Sequence, residues 1–250
     1  MARILAISNR KGGAGKTTTA VNVAAEIAAR GERVVLIDLD SQGHCALGFG
    51  IKVERDAPSA HGLFTGANTL RQALRPTRWP QLSLIPADSR FEHGGADTGL
   101  LQRALGAEGF LDEALTLILD TPPSLDALLL NALTAADRVL TPFVPHPLAG
   151  EGVRALARIL FRVAADRSNA GLRVLGFLPV MLDTRIGQHR SVSDSIAQQF
   201  GASRMLPGIR SDIKLAEAFA AGQPIRDYAP HSRGADDYRA ATDAILERWN

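Results

Sequence analysis

The chain has 250 residues, 46% hydrophobic and 22% charged, with a formal net charge of +2. That composition suits one large α/β domain or two small ones with a sizeable core, and the charge is too small to imply a nucleic-acid partner by itself. Cys45 is the only cysteine, which excludes an intrachain disulfide and a cysteine-built metal cluster within one chain.

In chain order, Ile4–Ser8 reads as a strand and Lys16–Arg30 as a helix ending near Gly31. Further strands are expected at Arg33–Asp38, Gln81–Pro86, Leu115–Asp120, Arg138–Phe143 and Leu172–Met181. Helical patterns fall at Leu125–Ala136, Glu151–Ala165, Gly187–Phe200, Ser211–Ala221 and Gly234–Arg248. Continuous apolar strands alternating with helices predict a mostly parallel central sheet covered on both faces. Such sheets bind ligands at the carboxyl ends of their strands. The stretch from Lys52 to Gly109 is less regular and reads as excursions from one domain spanning residues 1–250. Nothing after Met1-Ala2-Arg3 resembles a signal peptide, and no apolar run reaches the ~18 residues of a membrane span, so a soluble cytoplasmic protein is expected.

The first strand runs into Arg10-Lys11-Gly12-Gly13-Ala14-Gly15-Lys16-Thr17-Thr18. Gly15, Lys16 and Thr17 fit the phosphate-loop pattern G-x-x-x-x-G-K-[ST], but Arg10 stands where its first glycine belongs. The segment is either a plain glycine-rich turn or a deviant phosphate loop with an extra lysine. Between a strand and a helix, such a loop points backbone N–H groups and a helix N-terminus at phosphate. Lys16 is then placed to neutralise the β/γ-phosphates and Thr17 to ligate Mg²⁺. Two other strands end in carboxylates. Asp120 follows Leu117-Ile118-Leu119 and suits a water on Mg²⁺. Asp38 and Asp40 follow Val34–Ile37, where a carboxylate near the γ-phosphate can orient the attacking water. Of 28 basic residues only four are lysines (Lys11, Lys16, Lys52 and Lys214), and two of these lie in the glycine loop.

These residues carry a resemblance. Lys11–Thr18 looks like the deviant Walker A box of the ParA/MinD family of P-loop ATPases. Asp38-Leu39-Asp40-Ser41-Gln42 resembles the family's D-x-D-P-Q box, with Ser41 in place of proline. Leu119–Leu125 matches the Walker B stretch, and Asn131–Asp137 continues the pattern. Lys214–Ala218, Gly222–Ile225 and Ser232–Ala235 resemble the family's C-terminal part. The resemblance implies a single P-loop NTPase domain and a Mg²⁺-dependent ATPase in which two subunits sandwich two ATP molecules. Lys11, Gly12, Gly13, Ala14, Gly15, Lys16, Thr17 and Thr18 are then the nucleotide cradle. Lys11 reaches across to the partner's phosphate, Lys16 serves its own subunit, Asp40 positions water and Thr17, Asp40 and Asp120 support the metal.

Many such proteins bind nonspecific DNA as the ATP dimer, on the nucleoid, and position a plasmid, a chromosome or a protein cargo. A ParB-like or cargo-adaptor partner stimulates hydrolysis and release. Arg185, Arg190, Arg210 and Lys214 are the candidate phosphate contacts, Arg185 because Leu182-Asp183-Thr184-Arg185 is similar to a family stretch with a DNA-contacting arginine. The family's acidic-Tyr-Tyr stretch is replaced by Pro145–Gly152, and Pro-Arg-Asn by Arg210-Ser211-Asp212. Asp212 thereby occupies a position near the adenine in relatives. A MinD-like membrane switch needs a basic amphipathic extension, and the chain stops at Leu246–Asn250, so stable membrane anchoring is not expected. A nitrogenase-type iron protein needs cysteine ligands beyond Cys45. A small-molecule ligase or kinase on the same loop is the other alternative. No DNA-reading domain precedes Met1, so operator-specific autoregulation is not expected. His44, His61, His93, His146, His189 and His231 are scattered and read as structural or surface residues.

Overall fold

A computed structural model describes residues 1–92, 95–165 and 168–249. The strands are β1 (Arg3–Ile7), β2 (Val34–Asp38), β3 (Arg75–Pro76), β4 (Leu82–Ile85), β5 (Thr116–Asp120), β6 (Arg138–Phe143) and β7 (Arg173–Pro179). They form one sheet in the order β3-β4-β2-β5-β1-β6-β7. Every pairing is parallel except β3 with β4, which is antiparallel at the edge. The mostly parallel sheet expected from the apolar runs is therefore present.

The helices are α1 (Lys16–Ala29), α2 (His44–Gly48), α3 (Gly62–Thr65), α4 (Leu70–Ala73), α5 (Leu100–Ala107), α6 (Ala127–Ala135), α7 (Ala149–Ala165), α8 (Gly187–Phe200), α9 (Ile213–Ala220), α10 (Ile225–Tyr228) and α11 (Arg233–Trp249). Successive strand side chains point to opposite faces, so each central strand feeds two cores. Leu5, Ile7, Leu36 and Ile118 pack with α1, α2 and the C-terminal helices, including Tyr238 and Ile245. Ile4, Ala6, Val35, Ile37, Leu117 and Leu119 pack on the opposite face with α3 to α7. A sheet buried on both faces requires this unbroken apolar content.

The region from Lys52 to Gly109, read as irregular, contains β3, β4, α3, α4 and α5. Two of its helices are only four residues long, below the length at which periodicity is visible. Thr69 starts one of them with a capping box that pairs it reciprocally with Gln72. α7 begins at Ala149, two residues before the expected Glu151. No described helix is long and apolar enough to cross a membrane.

Candidate functional site

Parallel pairing aligns the strand ends that carry the chemistry. Asp120 sits opposite Ile7 on one side and Asp38 on the other. The Thr121 hydroxyl donates to the Ile7 carbonyl at 3.0 Å, tying the end of β5 to the root of the glycine loop. Asn9 steadies the loop from the other side. Its amide donates to the Pro142 carbonyl at 2.8 Å, and its side-chain oxygen accepts the Lys11 N–H at 3.0 Å. Gly15 caps α1 in the left-handed region, with φ of 77°. A Cβ there would fall 3.1 Å from Val180 Cγ2, so backbone angle and space both demand glycine.

Above these ends lies a cavity of about 760 Å³, lined by Gly12–Thr18, Asp40, Ser41, Gln42 and His44 on one side. Pro122, Pro123, Ser124, Asp126 and Leu128 close it beyond β5, and Phe91, Glu92, Met181 and Phe219 complete its walls. Loop glycines, strand-end carboxylates and the N-terminus of α1 thus converge as anion-binding geometry requires.

Lys16 is only 6% exposed. Burial pulls its ammonium pKa down, while Asp120 and Asp40 oppose that shift. Asp38 is fully buried and accepts the N–H groups of Asp40 and Cys45, both at 3.1 Å. Burial, and then the Asp120 charge, push the Asp38 carboxyl well above the usual range. Burial raises Asp120 to about 6, against the Thr17 hydroxyl, Lys16 and the Cys45 thiol. The thiol lies 3.4 Å from Asp120 Oδ2, whereas Asp120 Oδ1 is buried without a hydrogen-bond partner among the described residues. A buried, unsatisfied carboxylate oxygen beside the Thr17 hydroxyl is a fitting place for a hard divalent cation or its water. Asp40 is differently placed. Its carboxylate accepts the Gln42 N–H at 3.1 Å and lines the cavity.

The expected residues do not all meet. Gly12 to Thr18, Asp40 and the Asp120 strand end do come together. Lys11 is exposed and lies outside the cavity lining. Asp212 is not in the lining either. Its carboxylate accepts the Lys214 and Gly234 N–H groups, each at 3.0 Å, capping α9 and tying it to α11. In this position Asp212 serves as a helix cap. Met181 and Phe219, which carry no local motif, line the cavity instead. Phe91 and Glu92 also escaped sequence reasoning, because a turn far along the chain brings them in.

A bridge between Leu182 and Arg210 brings two of the basic segments together. Each cation there is already paired, with one exception. Arg185, 89% exposed, is held by Asp183 at 2.8 Å. Arg210 grips Asp237 through Nε and Nη2, and Lys214 meets Glu217 at 2.7 Å. Arg190 has no ion pair among the described residues. Among the histidines, His61 is buried between the Leu39 carbonyl and the Asp88 N–H and stacks on Phe91. His189 accepts the Asp183 N–H at 3.1 Å, and His44 lines the cavity. His93 lies outside the described residues.

Comparison with known proteins decides the family. A sequence family described as an AAA domain matches residues 2–174. The chromosome-partitioning ATPase Soj of Thermus thermophilus is 38% identical over 251 residues, covering 98% of this chain and 96% of that protein. The chain belongs to the ParA/MinD family of P-loop ATPases. The chromosome partitioning protein ParA of Caulobacter vibrioides is 34% identical over 255 residues, covering 98% of this chain and 94% of that one. Among solved structures, cobyrinic acid a,c-diamide synthase from Mycobacterium smegmatis with bound ADP and magnesium superposes with a TM-score of 0.81. It is 31% identical and covers 100% of this chain and 96% of that one.

Proposed function

We propose that the ParA-family chain is an ATP-gated dimer that hydrolyses ATP with Mg²⁺ and uses the nucleotide state to hold and release a nucleic-acid track. One observation carries the reading: the same glycine loop turns Lys16 inward to the cavity and leaves Lys11 outside it. An inward lysine neutralises phosphate in its own subunit. An outward lysine on the same loop is free to meet phosphate in a facing subunit, the role that the resemblance to the ParA/MinD family implies. Charge supplied in trans couples phosphate binding to association.

Within this reading, backbone N–H groups of Gly12 to Thr18 cradle the phosphates. Thr17 and Asp120 would hold Mg²⁺, which would supply positive charge against the phosphates. Asp40 holds the attacking water, and its position beside Gln42 aims the carboxylate into the cavity. Met181 and Phe219 offer apolar surfaces for the base. Loss of the γ-phosphate removes what Lys11 would grip, so hydrolysis loosens the dimer.

Arg185, Arg190, Arg210 and Lys214 are assigned to DNA phosphates on a nucleoid-associated, cytoplasmic protein. Three of the four must trade an intramolecular carboxylate for a phosphate, which lowers affinity. A ParB-like or cargo-adaptor partner would time the release of a plasmid, chromosome or protein cargo. The likeness to a protein named as a cobyrinic acid diamide synthase favours a second reading, an ATP-dependent small-molecule ligase on the same loop. Hydrolysis without any metabolite separates the two. The dimer itself is tested by Lys11→Ala, which should retain monomer nucleotide binding in calorimetry yet stay monomeric with ATP in size-exclusion chromatography. Equal loss of binding and dimerisation would sink the trans role.

A further inference from the structure

Helix α7 presents an outer face that the nucleotide site does not use. Val153, Leu156, Ile159, Leu160 and Val163 are its inward side. At 100° per residue, Arg154, Arg158, Phe161 and Arg162 fall together on the opposite side. All four are exposed, and Phe161 is 76% exposed, more than any other large apolar residue here except Met1. Among the described residues no carboxylate forms an ion pair with Arg154, Arg158 or Arg162. Among those residues, the Arg154 side chain donates to Gln199 Oε1, at 3.3 Å. This contrasts with Arg185, Arg210 and Lys214, each neutralised by its own chain.

We propose that this face of α7 is a docking surface for an acidic, amphipathic helical segment of a partner protein. Arginines at i, i+4 and i+8 span ~12 Å along the helix, and carboxylates at the same spacing on a facing helix match them turn for turn. Phe161 sets the chemistry apart from a DNA track. A phosphate backbone offers nothing to bury an exposed phenyl ring, whereas the apolar stripe of an amphipathic helix does. Arginine and aromatic residues together are also the composition of interface anchors. The surface has a route to the site. At the other end of α7, a Cβ on Gly152 would lie 2.9 Å from Asn9 Oδ1 and 3.7 Å from Lys11 Cβ. The helix that carries the stripe therefore backs the loop that carries Lys11.

The probe is a labelled synthetic helix with glutamates at i, i+4 and i+8 and leucine at i+7, titrated against the full-length protein by fluorescence anisotropy. Wild type is expected to bind it. Phe161→Ala and the double variant Arg154→Glu/Arg158→Glu are expected to weaken binding about tenfold or more. The double variant should recover binding to the same peptide with lysines in place of the glutamates, a rescue that a merely misfolded protein cannot show. Unchanged ADP binding in the variants checks the fold. The proposal is overturned by no binding to wild type, by equal binding of the variants, or by failure of the charge-swapped rescue. It is equally overturned, in favour of a DNA track, if the variants keep the peptide and lose duplex DNA. That this partner acts on an ATP-gated dimer rests on the proposed function, but the peptide assay needs no ATP. Failure of dimerisation leaves it standing, and failure of peptide binding leaves the dimer reading untouched.

Discussion

Removing the charge of Asp120 gives the most quantitative test of the site as built. Its carboxyl is fully buried and raised to about 6, from an ordinary value of 3.8. A raised carboxyl stabilises the fold while it is protonated, fully so below 3.8, and that contribution is lost as pH rises through 6. From this direction and size of shift, linkage gives a loss on the order of 1 kcal/mol between pH 5 and 7.5 in the absence of metal. For a chain of this size that is a few degrees in Tm, roughly 2–4 °C per kcal/mol. Asp120→Asn is neutral throughout, so the variant should lack this part of the pH dependence. Thermal unfolding with EDTA at pH 5, 6 and 7.5, wild type beside variant, reads the difference directly. Mg²⁺ with nucleotide should restore wild-type stability at pH 7.5 and do little for the variant. If Asp120→Asn tracks wild type across the range, the buried carboxyl is not strained by its surroundings and the argument for a cation at Oδ1 fails.

Asp40→Ala should trap an ATP-bound dimer, and normal phosphate release by that variant would refute the water-positioning role. Arg185→Ala/Arg190→Ala should weaken ATP-dependent DNA retention and flatten its log–log salt slope by about 0.9 for each lost phosphate contact; an unchanged slope rejects these two residues. Asp183→Asn should act in the opposite direction, because it frees Arg185 from its 2.8 Å ion pair, and tighter retention in a filter-binding assay is the expected result. Phe219→Ala should raise the Kd for ADP about tenfold by removing an apolar wall, roughly 1.4 kcal/mol; unchanged calorimetry would place the base elsewhere.

Most of the sheet was legible because strands buried on both faces must be apolar throughout. Leu117-Ile118-Leu119 and Val34–Ile37 show this, and each ends on a carboxylate, Asp120 and Asp38 lying opposite each other. The glycine loop was legible for a similar reason: only glycine tolerates the angle at position 15 beside Val180. Short edge structure was not. β3 is two residues long and pairs antiparallel, and α3 and α4 are single turns stabilised by contacts distant in sequence. The Leu70 and Arg71 N–H groups, for example, are taken by Glu108. Asp212 has a structural role that the resemblance does not convey. A short carboxylate before a helix caps it, and here that cap satisfies N–H groups on two helices. Met181, Phe219, Phe91 and Glu92 reach the cavity through tertiary packing alone, which leaves no periodic trace. The cations at 185, 210 and 214 are exposed, but the own-chain carboxylates that pair with them could not be read from the sequence.

The claim that Lys11 acts in a neighbouring subunit is tested most directly by mixing two inactive variants. Lys16→Ala cannot hold its own phosphate, and Lys11→Ala cannot supply the trans charge. In a mixed dimer, the Lys11→Ala subunit binds ATP through its own Lys16 and receives Lys11 from its Lys16→Ala partner, which completes one site. If Lys11 acts in trans, neither variant alone hydrolyses ATP and the mixture does, with activity rising as the partner is titrated in. A mixture as inactive as its components, with both proteins folded and the Lys11→Ala chain still binding ATP, would contradict it.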